Sequence, residues 1–132
     1  MWYTRSRSAE AIATDLLAAA VSGGTVSPRE GQSVPTRGYC VGQRGISGTL
    51  HYFEILDWIT RELPAVAGKG LFFGAWQDSA TGVLYLDVVK IHTELVPACR
   101  DAAERGELAI FDLGGQREIR AEDYVTAPGV QL

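Results

Sequence analysis

Leu71-Phe72-Phe73-Gly74-Ala75-Trp76-Gln77-Asp78-Ser79-Ala80-Thr81-Gly82-Val83-Leu84-Tyr85-Leu86-Asp87-Val88-Val89-Lys90-Ile91 is the stretch that decides the fold. Leu71–Trp76 and Val83–Ile91 are rich in aromatic and β-branched residues, and the connector Asp78–Gly82 has the length and turn chemistry of a hairpin loop. Both strands carry apolar side chains on both faces, as central strands covered on two sides do. Asp87 and Lys90 are the polar exceptions in the second strand.

C-terminal to the hairpin, Pro97 suits the first turn of a helix that runs to about Arg105, because its missing N–H costs little there. Val96, Cys99, Ala102 and Ala103 form its apolar stripe, and Gly106 fits a left-handed stop. Leu108–Leu113 reads as a strand, Gly114-Gly115 as a turn, and Arg117–Arg120 as a short strand. The tail from Ala121 reads as irregular.

On the N-terminal side, a helix is expected over 50–63, with Thr49 as its cap and Pro64 ending it. Tyr52, Ile55, Leu56, Ile59 and Leu63 make its buried stripe, with His51 and Trp58 on the stripe's edge. Asp57 and Arg61 form a favourable i,i+4 pair on the outer face. Glycines 42, 45 and 48 read as a turn into this helix from a short strand over Arg37–Gly42. Ala9, Ile12, Ala13, Leu16, Leu17 and Ala20 recur at helical spacing, so a helix is expected over 9–21, capped by Ser8 and stopped by Gly23. Between them, 22–36 is rich in Gly, Pro and Ser. Thr25–Ser27 and Gln32–Val34 would pair as a small hairpin across Ser27-Pro28-Arg29-Glu30-Gly31, or the segment would form a surface flap.

The order α-β-α-β-β-α-β-β implies an α+β fold: a single domain over 1–132, with a mixed or antiparallel sheet whose central hairpin is packed by about three helices. The 132 residues, 46% apolar and 21% charged, suit one soluble globular domain. No internal repeat, heptad run or low-complexity block is visible.

Composition also narrows the function. A net charge of −4, with Arg5 and Arg7 as the single basic cluster, argues against nucleic acid. Two cysteines and two histidines offer no zinc-finger spacing or disulfide framework, so neither metal nor cofactor is expected. Glu10 and Asp15 interrupt the apolar stretch after Arg7, unlike a signal peptide, and no run reaches the roughly 20 residues that span a bilayer. A cytoplasmic protein with free thiols at Cys40 and Cys99, and no membrane partner, is the expectation.

Few residues point to chemistry. Val41–Thr49 has the form of a strand, glycine-rich turn and helix start, where backbone amides cradle phosphate and Arg44 adds charge. It matches neither a P-loop nor a dinucleotide fingerprint. Arg37, Tyr39, Arg44, Gly45, Gly48 and Asp87 are the ligand-binding candidates this suggests. His51 and Glu54, one turn apart, have acid–base or ligand spacing, but Ile55 stands where a metalloprotease helix needs its second histidine. Asp87 and Asp112 read either as part of a polar pocket with Arg37, Tyr39 and Tyr85 or as structural ion pairs. His51, Trp58 and Trp76 are candidates for an exposed aromatic patch that binds a partner.

Three segments carry a resemblance. Gly23-Gly24-Thr25-Val26-Ser27-Pro28-Arg29-Glu30-Gly31 followed by Gly38-Tyr39-Cys40-Val41 resembles the opening of small uncharacterised proteins from actinobacterial phages and integrated mobile elements. Gly74-Ala75-Trp76-Gln77-Asp78 with Val83-Leu84-Tyr85-Leu86-Asp87 is similar to their central hairpin, and Ala102–Asp112 to their closing helix and strand. Those proteins carry Thr-Gly where this chain has Glu30-Gly31, so the turn chemistry differs slightly. The resemblance covers about two-thirds of the chain. It implies a mobile-element accessory protein and transfers no catalytic residue.

Three functional expectations follow. The first is a non-enzymatic accessory protein that binds a protein partner of host or element origin. The second is a nucleotide- or acyl-CoA-like ligand-binding domain or transferase that uses the 42–49 loop. The third is a self-associating structural protein, such as a homodimer.

Overall fold

A computed structural model describes residues 5–124 of the chain. The elements are α1 (Ala9–Ala20), β1 (Gly24–Val26), β2 (Tyr39–Gly48), α2 (Tyr52–Gly68), β3 (Phe72–Gln77), β4 (Leu84–His92), α3 (Leu95–Glu104), β5 (Ala109–Asp112), β6 (Arg117–Arg120) and α4 (Ala121–Tyr124). Six strands form one antiparallel sheet in the order β1-β3-β4-β2-β5-β6, so the fold is α+β. Among the described residues, no helix is long and apolar enough to cross a membrane.

The central hairpin forms within one residue of the bounds its sequence implies. Asp78 N–H donates to the Val83 carbonyl at 2.9 Å and Gly82 N–H to the Asp78 carbonyl at 2.7 Å. Gly82 has a φ of 74°, a left-handed value that disfavours a side chain. Register pairs Phe72 with Val89, Gly74 with Asp87 and Trp76 with Tyr85.

Residues group into two compact units, 1–34 with 44–89 and 35–43 with 90–132. In the first, α1 and α2 pack with β1 and β3 around Ile12, Leu16, Ile59, Phe73 and Leu86, all fully buried. Ser8 caps α1 by accepting from Ala11 N–H at 3.1 Å. The second has its own core of Val41, Ala98, Cys99, Ala102 and Ile110. Gly106 ends α3 with a φ of 70°, the left-handed stop its position implies.

Several expectations are corrected. The hairpin expected between Thr25–Ser27 and Gln32–Val34 does not form. Thr25 pairs with Gly74, and Gln32–Val34 is not a strand. The edge of β3 offers Val26 both a ladder and burial, which a short isolated hairpin lacks. Arg29 holds the following turn by donating to the Ala67 carbonyl at 2.8 and 3.1 Å, near the end of α2.

Residues 42–48 are not a glycine-rich turn but the second half of a ten-residue strand. Accordingly α2 starts at Tyr52 with His51, not Thr49, at the N-cap. Pro64 does not end α2, because the apolar stripe continues beyond it to buried Val66 and Ala67. Residues 121–124 form a helical turn, and the rest of the expected irregular tail lies outside the described residues.

Candidate functional site

The two faces of the β3–β4 hairpin differ because side chains alternate along a strand. Phe73, Ala75, Leu84, Leu86 and Val88 face the core. Phe72, Gly74 and Trp76 share the opposite face with their register partners Val89, Asp87 and Tyr85. Phe72 and Val89 are buried, whereas Trp76 is 51% and Tyr85 38% exposed. Their rings pack on each other with centroids 5.2 Å apart and planes at 31°.

Asp87 sits one step along the same face, between two glycines. Gly74 opposes it on β3, and a Cβ there would fall 2.9 Å from Val89 Cγ2. On the other side, a Cβ at Gly45 of β2 would collide with the Leu86 carbonyl oxygen and the Asp87 carboxylate. Glycine at both positions thus lets the strands, Val89 and the half-buried Asp87 carboxylate pack closely at this level, with the aromatic pair one step along the face. Asp87 also has a partner within the chain, but a carboxylate has four acceptor sites, enough to be held and still accept from a ligand.

Of the six ligand-binding candidates, Gly45 and Asp87 are brought together. Arg44 follows the opposite alternation and pairs through Nε with Glu62 of α2 at 2.6 Å, so its charge is neutralised away from Asp87. Gly48, with a φ of 141°, ends β2. Because 42–48 is a strand, its amides belong to a sheet rather than a helix N-terminus, and the phosphate-cradle reading is overturned. Arg37 and Tyr39 belong to the other unit, where Tyr39 lies opposite Asp112. Asp112 follows the structural reading: it accepts from Gly115 N–H at 3.0 Å and pairs with Arg117 at 3.6 Å.

Of the three aromatic-patch candidates, Trp76 and His51 are exposed and Trp58 is not. Trp58 is 4% exposed and meets Phe73 edge-on, centroids 5.6 Å apart, on the same side of α2 as Ile55 and Ile59. His51 is exposed at the α2 N-terminus, where its backbone N–H donates to Glu54 Oε1 at 3.1 Å. Glu54 is therefore a helix cap rather than an acid–base partner.

Sequence reasoning missed a polar cluster in the second unit. Asp101 of α3 accepts from His92 Nε2 at 2.7 Å, Arg105 Nε at 2.7 Å and Gln43 Nε2 at 3.1 Å. Burial alone would raise the Asp101 carboxyl, but these three hydrogen bonds and the Arg105 charge hold it below its ordinary value. Burial pushes Glu107 up, opposed by Arg105 and reinforced by Asp101. Burial also raises the Cys99 thiol, which disfavours the reactive thiolate. The cluster ties α3 to the middle of β2 and the end of β4. Only the i,i+4 pair Asp101–Arg105 was visible locally, since His92 and Gln43 come from two strands.

No cluster of three or more His, Cys, Asp or Glu residues able to hold a metal ion occurs among the described residues. Comparison with protein-family models, curated proteins and solved structures finds no match to this chain.

Proposed function

We propose that the chain is a small cytoplasmic accessory protein of phage or mobile-element type, non-enzymatic, which binds a protein partner of host or element origin through the outer face of β3 and β4. The observation that carries this reading is the Trp76–Tyr85 pair, two aromatic rings packed together at a tilt and left 51% and 38% exposed on strands whose reverse face is core. Each ring packs on the other, which limits the side-chain entropy lost when a partner covers them. Tryptophan and tyrosine anchors of this kind dominate binding energy at interfaces. The origin in mobile elements rests on the sequence resemblance alone.

Tyr52 and Phe53 at the start of α2 are a competing exposed pair, with ring centroids 6.5 Å apart and Phe53 83% exposed. Trp76 and Tyr85 are favoured because both sit within strands, whereas Tyr52 and Phe53 occupy a helix's first turn, where ends fray. Site-specific photo-crosslinking in the source cells separates the two. A photoreactive residue at position 76 or 85 is expected to yield a discrete covalent adduct. Adducts from position 53 only, or from no position, would refute the reading. An adduct with the mass of a second copy of this chain would replace partner binding by self-association.

A further inference from the structure

We propose that the open edge of β2 over 44–48 pairs with the same segment of a second copy of this chain, antiparallel and centred on Ile46. Strand addition there lengthens the sheet in its own plane and uses neither Trp76 nor Tyr85. β2 has ten residues, yet β5 matches it only at Tyr39 and Cys40. Just beyond, side chains take over. The Val41 carbonyl accepts from Gln43 Nε2 at 3.0 Å, and the Gln43 carbonyl from an Arg105 guanidinium nitrogen at 3.4 Å. Among the described residues, 44–48 then has β4 as its one strand neighbour, and Arg44, Gly45 and Ser47 are exposed.

The direction of the main-chain groups follows from Gly45. It lies so close to β4 that a Cβ would collide with the Leu86 carbonyl oxygen. In an antiparallel pair, a residue whose Cα approaches the neighbouring carbonyl directs its own N–H and C=O away, and successive residues alternate. Gly45 and Ser47 therefore present their polar groups to the open edge, while Arg44 and Ile46 turn theirs to β4. Two-fold pairing about Ile46 sets Gly45 opposite Ser47 of the second copy, a pairing that exchanges N–H···O bonds in both directions. Ile46 meets its counterpart in the closer, non-hydrogen-bonded pairing. It is half-buried against the core of its own unit, so the two isoleucines join two cores. Arg44, the segment's single charged residue, falls opposite Gly48, meets no like charge and keeps Glu62. A foreign strand would gain the same main-chain bonds. This side-chain match is what favours a second copy.

Hydrogen exchange of isotope-labelled protein, read by NMR at about 50 µM and about 2 mM alongside sedimentation velocity, tests the pairing. Sedimentation should show monomer converting to dimer over that range. The Gly45 and Ser47 amides should exchange at least about tenfold more slowly at the higher concentration, with Arg44 and Ile46 changing less. Ser47→Pro removes an edge-facing N–H and should remain a monomer with an unchanged far-ultraviolet spectrum. If that variant does not fold, the concentration dependence of the unaltered chain decides alone. A monomer at both concentrations would overturn the inference. So would Gly45 and Ser47 amides that exchange equally at both, or a dimer that persists in folded Ser47→Pro. Failure of the β3–β4 reading is seen separately, in the absence of adducts from positions 76 and 85.

Discussion

Trp58 and Trp76 present the same side chain in opposite environments, and replacing each by alanine tests the assignment of core and surface. A tryptophan buries about 150–250 Å² in a folded chain. Trp58 is 4% exposed and packs on fully buried Phe73, so truncation forfeits nearly all of that area and leaves a cavity. The expected cost is about 3–5 kcal/mol. Trp76 is 51% exposed, so about half the area is at stake, without an enclosed cavity. Its loss, including the contact with Tyr85, should cost about 1–2 kcal/mol.

Urea unfolding followed by far-ultraviolet circular dichroism measures both. With a denaturant slope near 2 kcal/mol per molar, Trp58→Ala should lower the midpoint by about 2 M and Trp76→Ala by less than about 1 M. Against a total stability of about 5–15 kcal/mol, the first loss is large enough to threaten folding. Trp58→Phe, which retains a ring beside Phe73, should fall between the two. A Trp58→Ala loss below about 1 kcal/mol, or below that of Trp76→Ala, would refute the reasoning.

Two further predictions follow from packing and charge. Gly45→Ala should destabilise by about 1–3 kcal/mol because its methyl meets the Leu86 carbonyl and Asp87, and chemical denaturation will measure it. Gly68→Ala, with nothing within 4 Å of the new methyl at the end of α2, should be neutral or stabilise by up to about 1 kcal/mol. The second concerns pH. Asp101 lies below its ordinary value of 3.8 in the fold, so its contribution is present above that pH and is lost as pH falls toward the folded value. Glu107 lies above its ordinary 4.5, so its effect has the opposite sign: favourable below 4.5 and lost as pH rises through the folded value. Denaturation across pH should therefore show Asp101→Asn removing part of the acid-limb loss. Glu107→Gln should raise stability at neutral pH.

The sequence made the central hairpin legible because both strands and their turn are contiguous. It also revealed α1, whose apolar stripe, cap and stop agree with one another. The course of β2 was hidden because Gly42, Gly45 and Gly48 carry the same local signal in a turn and in a strand. What makes Gly45 a strand residue is its approach to Leu86 and Asp87, a contact between distant parts of the chain. β1 was misread for a similar reason, since its partner is β3 rather than its own neighbourhood.

The candidate site was partly visible. Asp87 stood out as a carboxylate in an apolar strand, and Trp76 as an amphipathic residue near a turn. Their arrangement with Tyr85 and the two glycines depended on register. Trp58 was misplaced because one helical step rotates a side chain by about 100°, enough to carry a stripe-edge residue into the core. The cluster around Asp101 left little local trace, its donors coming from β2, β4 and α3.

The most direct test of the binding face is fluorine NMR of 5-fluorotryptophan-labelled protein, with resonances assigned by tryptophan-to-phenylalanine variants. The free protein and the protein in source-cell extract are compared under matched viscosity. The Trp76 resonance is expected to shift or broaden in extract while that of Trp58 stays in place, and Tyr85→Ala should weaken the response. An unchanged Trp76 resonance, or a response confined to Trp58, would contradict binding at this face.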